Sequence, residues 1–104
     1  MKKNKILSDR EVYEYHGWRE QCKHITSEMY ELTEAIHDYE LCDREDLIER
    51  EKALVNITEE ISDVEFMINQ IKEHYEINPK FVEEWKSHKR EREDKRIKNN
   101  YYKN

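Results

Sequence analysis

A single glycine and a single proline occur in 104 residues. Tight hairpins and phosphate-cradling loops depend on glycine where the backbone must turn left-handed or approach closely, so both are short of material here. Only two cysteines are present, Cys22 and Cys42, without CxxC spacing. That pattern fits free thiols in a reducing compartment better than a disulfide scaffold or a zinc ribbon. Long apolar runs are also missing. The opening MKKNKILSDR offers Ile6-Leu7 alone, too short for a secretory core. No stretch approaches the roughly 20 apolar residues of a membrane span. The expectation is a cytoplasmic chain with no membrane partner.

Charge is plentiful. Charged residues make up 42% of the chain and hydrophobic ones 36%. A chain of this length forms one small domain with a thin core, for which a second copy is the usual remedy. We place the domain at residues 1–97 and a frayed C-terminal tail at 98–104. Residues 79–104 hold nine Lys/Arg against five Asp/Glu, which leaves ten against twenty for residues 1–78. An acidic body disfavours nucleic acid as the main partner and suits an anionic ligand that arrives with a divalent cation.

Periodicity reads as helix throughout. Ser8 and Glu11 form an S-x-x-E capping box, so a first helix begins near Asp9, with a joint at His16-Gly17. From Trp18 a long helix over 18–40 carries Cys22, Ile25, Met29, Leu32, Ile36 and Tyr39 at spacings of three and four. Asp43 is the expected cap of a weaker helical stretch over 44–55. Ile57, Ile61, Val64, Ile68, Ile71 and Tyr75 then form a near-heptad seam on a second long helix, 56–76. Asn78-Pro79 ends it and caps a last helix bearing Phe81, Val82 and Trp85. The expected fold is all-α, an antiparallel bundle of four to five helices. Tyr30, Phe66 and Met67 lie off the main stripes, and one short bundle cannot enclose them. A homodimer or homotetramer is therefore expected.

The chemistry sits beside those stripes. Glu28 and Glu31 are three apart on the first long helix, and Glu60 and Asp63 three apart on the second. Acid-x-x-acid recurs elsewhere in so acidic a chain, at Glu11/Glu14, Asp46/Glu49, Glu73/Glu76 and Glu91/Asp94. The two central pairs differ in lying on the most apolar helices. If those helices pack antiparallel, four carboxylates converge near a dry core, where desolvation and mutual repulsion are severe. A divalent cation relieves both, and hard carboxylate oxygens select Mg²⁺, with Mn²⁺ also suitable.

The order E-x-x-E, 28 residues, E-x-x-D resembles the MazG-like all-α nucleoside triphosphate pyrophosphohydrolases. HGWREQCKHITSEMYELTEAI resembles the first core helix of that family, NITEEISDVEFMINQIK the second, and WKSHKRER its C-terminal helix with a K-x-x-R step. The resemblance covers residues 15 to about 92. It implies hydrolysis of (deoxy)nucleoside triphosphates to the monophosphate and pyrophosphate, with Glu28, Glu31, Glu60 and Asp63 as metal ligands. It also implies assembly into dimers or tetramers. Ser27 departs from the pattern, because the family has a further Glu there. Within this scheme Glu59 would take the proton of the attacking water, and Lys89 and Arg92, or else Lys72, would hold outer phosphates. Gln21 and His24 would reach a sugar or base edge, and Trp18, Tyr15 or Trp85 would stack a base. The alternative is a non-catalytic helical interaction protein that kept the bundle and lost turnover, with Ser27 as its best argument. A di-iron carboxylate bundle is disfavoured, since Glu34 with His37 lacks a symmetric E-x-x-H mate.

Overall fold

The computed structural model describes residues 5–103. Residues 1–4 of the expected domain and residue 104 of the expected tail lie outside that range. Among the described residues the chain is all-helical: α1 Asp9–His16, α2 Trp18–Leu41, α3 Leu47–His74 and α4 Pro79–Lys98. No described helix is long and apolar enough to cross a membrane.

Local chemistry accounts for each boundary. The Ser8 hydroxyl accepts from the Glu11 amide while Glu11 accepts from the Ser8 amide, a reciprocal cap that starts α1. Gly17 takes φ 86, ending α1 and starting α2. The expected cap at Asp43 is displaced: Asp46 accepts from the Ile48 and Glu49 amides, whereas Asp43 caps a turn by accepting from Glu45. The 44–55 stretch and the 56–76 seam are accordingly not separate, and α3 runs unbroken through both. It ends in a Schellman motif, with Glu76 left-handed at φ 53 and the Ile77 amide donating to the Lys72 carbonyl. Asn78 then caps α4 by accepting from the Lys80 amide, with Pro79 at its first position. A second Schellman motif follows Lys98, with Asn100 at φ 57 and the Tyr101 amide on the Arg96 carbonyl.

α2 and α3 pack antiparallel as a hairpin, and α1 braces its open end. α4 closes onto none of them to a comparable degree. The Cα radius of gyration is 18.5 Å, against about 13 Å for a compact chain of 100 residues. The core is correspondingly thin: Tyr13, Ala35 and Met67 are buried, with the amides of Gln21 and Gln70. Met67, expected to be surplus, is a core residue. Tyr30 and Phe66 remain exposed.

The buried line on α3 is not the heptad seam. Met67 and Gln70 are its buried residues, and half-buried His74 and exposed Asp63 continue the same helical face at spacings of four, three and four. The apolar seam is rotated away from this line. Ile57, Val64 and Ile71 are half-buried, while Ile61, Ile68 and Tyr75 are exposed. α2 behaves alike, with Gln21, Glu28 and Ala35 inward and Met29 and Ile36 exposed. In an antiparallel pair, rotations of the same sense bring both displaced stripes to one side of the hairpin. That side is a continuous apolar face.

Candidate metal and phosphate site

Two contacts seven residues apart set the hairpin register. The Gln21 Nε2 donates to Gln70 Oε1 at 2.7 Å, and two turns on Glu28 comes level with Asp63. Gln70 is fully buried and Gln21 nearly so. The Gln70 amide nitrogen also reaches the Met67 sulfur at 3.6 Å.

Glu28, Glu60 and Asp63 each offer a carboxylate oxygen within 4.8 Å of the others. The Glu28 side chain is only 12% exposed, and its Oε1 meets His24 Nε2 at 3.0 Å. Its Oε2, and that of Glu60, are shielded from solvent with no hydrogen-bond partner. Burial pushes the Glu28 carboxyl above the usual range, the charges of Glu31 and Asp63 push it further, and His24 pulls it back. Glu60 is raised by burial, then by Glu31, Asp63 and Glu59. Glu31 is itself exposed and stands outside the closest group, yet its charge acts on both half-buried partners. Three of the four expected ligands converge, and the fourth stands beside them.

This donor set fits a divalent cation. Hard carboxylate oxygens gathered from two helices within 4.8 Å of one another are the donor chemistry that Mg²⁺ and Mn²⁺ prefer. With such an ion bound, the two partnerless oxygens would gain a partner, removing a desolvation cost that protein atoms leave unmet.

The other expected residues divide. His24 lines a pocket of about 210 Å³ together with Glu28, Asp63 and Phe66. Gln21 borders the same pocket, but its amide is committed to Gln70. Trp18 stacks on His74 with ring centres 3.8 Å apart, and its indole N–H donates to the Tyr75 hydroxyl at 3.1 Å. That face is therefore filled from within the chain. Tyr15 and Trp85 are exposed. Lys89 and Arg92 lie on α4, away from the carboxylates. Arg92 borders a groove with His88, Lys95, Arg96 and Tyr101. Lys72 lines the clefts at the root of α4. Glu59 is exposed next to Glu60, and Ser27 donates to the Lys23 carbonyl at 3.3 Å.

Phe66 as a pocket wall and His74 as the stacking partner of Trp18 escaped the sequence reading. The 63, 67, 70, 74 spacing carried the signal, but only His74 and Met67 of that set interrupt it with rings or sulfur, so hydropathy favoured the stronger neighbouring seam. Comparison with protein-family models, curated proteins and solved structures finds no match for this chain.

Proposed function

We propose that this chain is a MazG-like, Mg²⁺- or Mn²⁺-dependent pyrophosphohydrolase that converts (deoxy)nucleoside triphosphates to the monophosphate and pyrophosphate. The observation that carries the reading is the pair of shielded, partnerless oxygens, Glu28 Oε2 and Glu60 Oε2, on carboxylates that cluster with Asp63. A generic acidic surface would leave those atoms in water. Glu28, Glu60 and Asp63, with Glu31 beside them, would hold the ion. Such a cation supplies neutralisation of phosphate oxygens and a more acidic bound water. Glu59, exposed and next to Glu60 in sequence, would take a proton from that water. Lys89 and Arg92 would hold outer phosphates.

The pocket beside the carboxylates, about 210 Å³, falls below the roughly 300–1,000 Å³ of small-molecule sites. One chain therefore does not enclose a nucleotide, and the exposed apolar face of the hairpin needs cover. Both features support a homodimer or homotetramer, working in the cytoplasm where the free thiols would stay reduced.

The test is pyrophosphate release over a panel of ribo- and deoxynucleotides, with Mg²⁺ and with chelator. Asp63→Ala and Glu31→Ala should abolish turnover, whereas Glu11→Ala and Glu91→Ala should not. Orthophosphate as sole product would refute the cleavage position. Absence of turnover on every nucleotide, with Mg²⁺ still bound, would favour the non-catalytic interaction protein.

A further inference from the structure

α4 is 20 residues long with no buried residue, and its charges are sorted by side. At 3.6 residues per turn, Trp85, His88, Lys89, Arg92, Lys95 and Arg96 fall within an arc of about 120°. The five acids of the helix, Glu83, Glu84, Glu91, Glu93 and Asp94, all fall outside it. Three of them are paired: Glu83 with Lys86 at 3.1 Å, Asp94 with Lys98 at 3.0 Å and Glu93 with Arg96 at 4.0 Å. Lys89, Arg92 and Lys95 are exposed and form no ion pair among the described residues.

The arc is turned aside from the hairpin. Val82 and Lys86 share a cleft with Glu65, Ile68 and Lys72 of α3, and those two point about 100° away from the middle of the arc. Trp85 is 66% exposed, with its ring centre 6.0 Å from that of His88. At the other end the chain turns back at Asn100, φ 57, and brings Tyr101 under Arg96, whose guanidinium carbon stands 4.8 Å from the ring centre. A groove of about 350 Å³ opens there among His88, Arg92, Lys95, Arg96, Asn99 and Tyr101, with Glu91 also on its wall. Tyr101 is 65% exposed. Rings therefore stand at both ends of a run of cations.

The run extends about 21 Å from Trp85 to Asn99. Cations strung over that length match an anion that repeats better than a single phosphate. Single-stranded nucleic acid supplies both parts of the match: phosphates in series, and unpaired bases whose faces stack on exposed rings. An anionic membrane surface would call for apolar side chains along the whole arc, whereas here rings occupy only its ends. The body of the chain narrows the contact further. Residues 1–78 hold ten Lys/Arg against twenty Asp/Glu and residues 79–104 nine against five, so they sum to −10 and +4. A polyanion is repelled by the hairpin and attracted to α4.

We propose that α4 is a docking arm for single-stranded nucleic acid, with Lys89, Arg92 and Lys95 on its phosphates and Trp85 and Tyr101 stacking bases at either end. Lys89 and Arg92 are also the cations assigned above to the outer phosphates of a nucleotide. Lys95 and Tyr101 are not, and docking needs no metal, so each reading can fail without the other.

The test is fluorescence anisotropy of labelled oligothymidylate and oligouridylate of about 16 nucleotides, the upper end of single-strand site sizes, titrated with the full-length chain in chelator. Anisotropy should rise with either strand. The logarithm of the association constant should fall against log salt with a slope of about −2, three neutralised phosphates contributing roughly −0.7 each. Lys95→Gln/Tyr101→Ala, altered at exposed positions, should keep its helical circular dichroism and bind at least about fivefold more weakly. Its slope should flatten by roughly 0.7. No rise at about 100 µM protein, the weak limit of non-specific binding, overturns the proposal. So does an undiminished affinity in the double variant, or tighter binding to a duplex of equal length or to phosphatidylserine vesicles. Because no readout depends on turnover, a chain that binds the strand but hydrolyses no nucleotide would sink the catalytic reading and leave the arm standing.

Discussion

Replacing Gln70 by leucine strikes the contact that sets the hairpin register. Gln70 is 0% exposed and Gln21 3%, and the 2.7 Å bond between them is a buried polar tie between α2 and α3. Gln70→Leu keeps the volume but strands the Gln21 amide in a dry interface. An orphaned buried donor of this kind costs about 1–3 kcal/mol. In a domain of this size that lowers the melting temperature by roughly 4–8 °C per kcal/mol. Gln21→Leu should cost a similar amount. The double variant removes both polar groups at once and should recover most of the loss, because two apolar side chains of matched shape are nearly neutral there. Urea unfolding followed by circular dichroism, at one fixed protein concentration, gives the four stabilities of the cycle. A single-variant loss below about 0.5 kcal/mol, or a double-variant loss equal to the sum of the singles, would refute the claim that this pair is a dry, mutually satisfying contact. Recovery of stability need not restore the site. Without the amide pair, the register that brings Glu28 level with Asp63 rests on non-directional apolar contacts and on the Trp18–Tyr75 bond at the end of the hairpin.

Glu28 and Glu60 carry carboxyls raised above the ordinary 4.5. The folded chain thus keeps protons that the unfolded chain releases, and stability of the metal-free protein should fall as pH rises from about 4.5 through the raised folded values. Urea midpoints in chelator should be lower at pH 7 than at pH 5, and Glu28→Gln/Glu60→Gln should flatten the slope; a steeper slope in that variant contradicts the assignment. Adding Mg²⁺ at pH 7 should stabilise the native state, by about 2.7 kcal/mol when the ion is at a hundred times its dissociation constant. Asp63→Asn should abolish that gain, and an unchanged thermal shift in the variant would move the ion elsewhere. Glu76→Gly should stabilise by about 0.5–1 kcal/mol, because a side chain is strained at its φ of 53°. A loss of stability on calorimetry would mean that the glutamate side chain makes a contact outweighing the strain.

Helix positions were legible from local chemistry. Ser8 with Glu11, Gly17 and Asn78-Pro79 act through bonds to their nearest neighbours, so their effect can be read without knowing what packs where. The acidic pairs were legible for the same reason, since a spacing of three places two side chains on one side of any helix. Asp43 misled because two aspartates three residues apart can each cap, and only the path of the loop chose Asp46. The rotation of α2 and α3 was a tertiary matter. Apolar burial is non-directional, so a stripe of isoleucines announces that it must be covered without naming what covers it. In this hairpin Asp63, Gln70 and His74 face α2, and the more hydrophobic seam is turned to the side. Hydropathy could not foresee that, because the cost of burying Gln70 vanishes only when Gln21 stands opposite it. The direction of α4 follows from the left-handed turn at Glu76, which no hydropathy pattern announces. Sequence by itself determined an all-helical chain and two pairs of acids; tertiary structure decided which carboxylates meet, and which apolar face is left open, because both depend on partners far away along the chain.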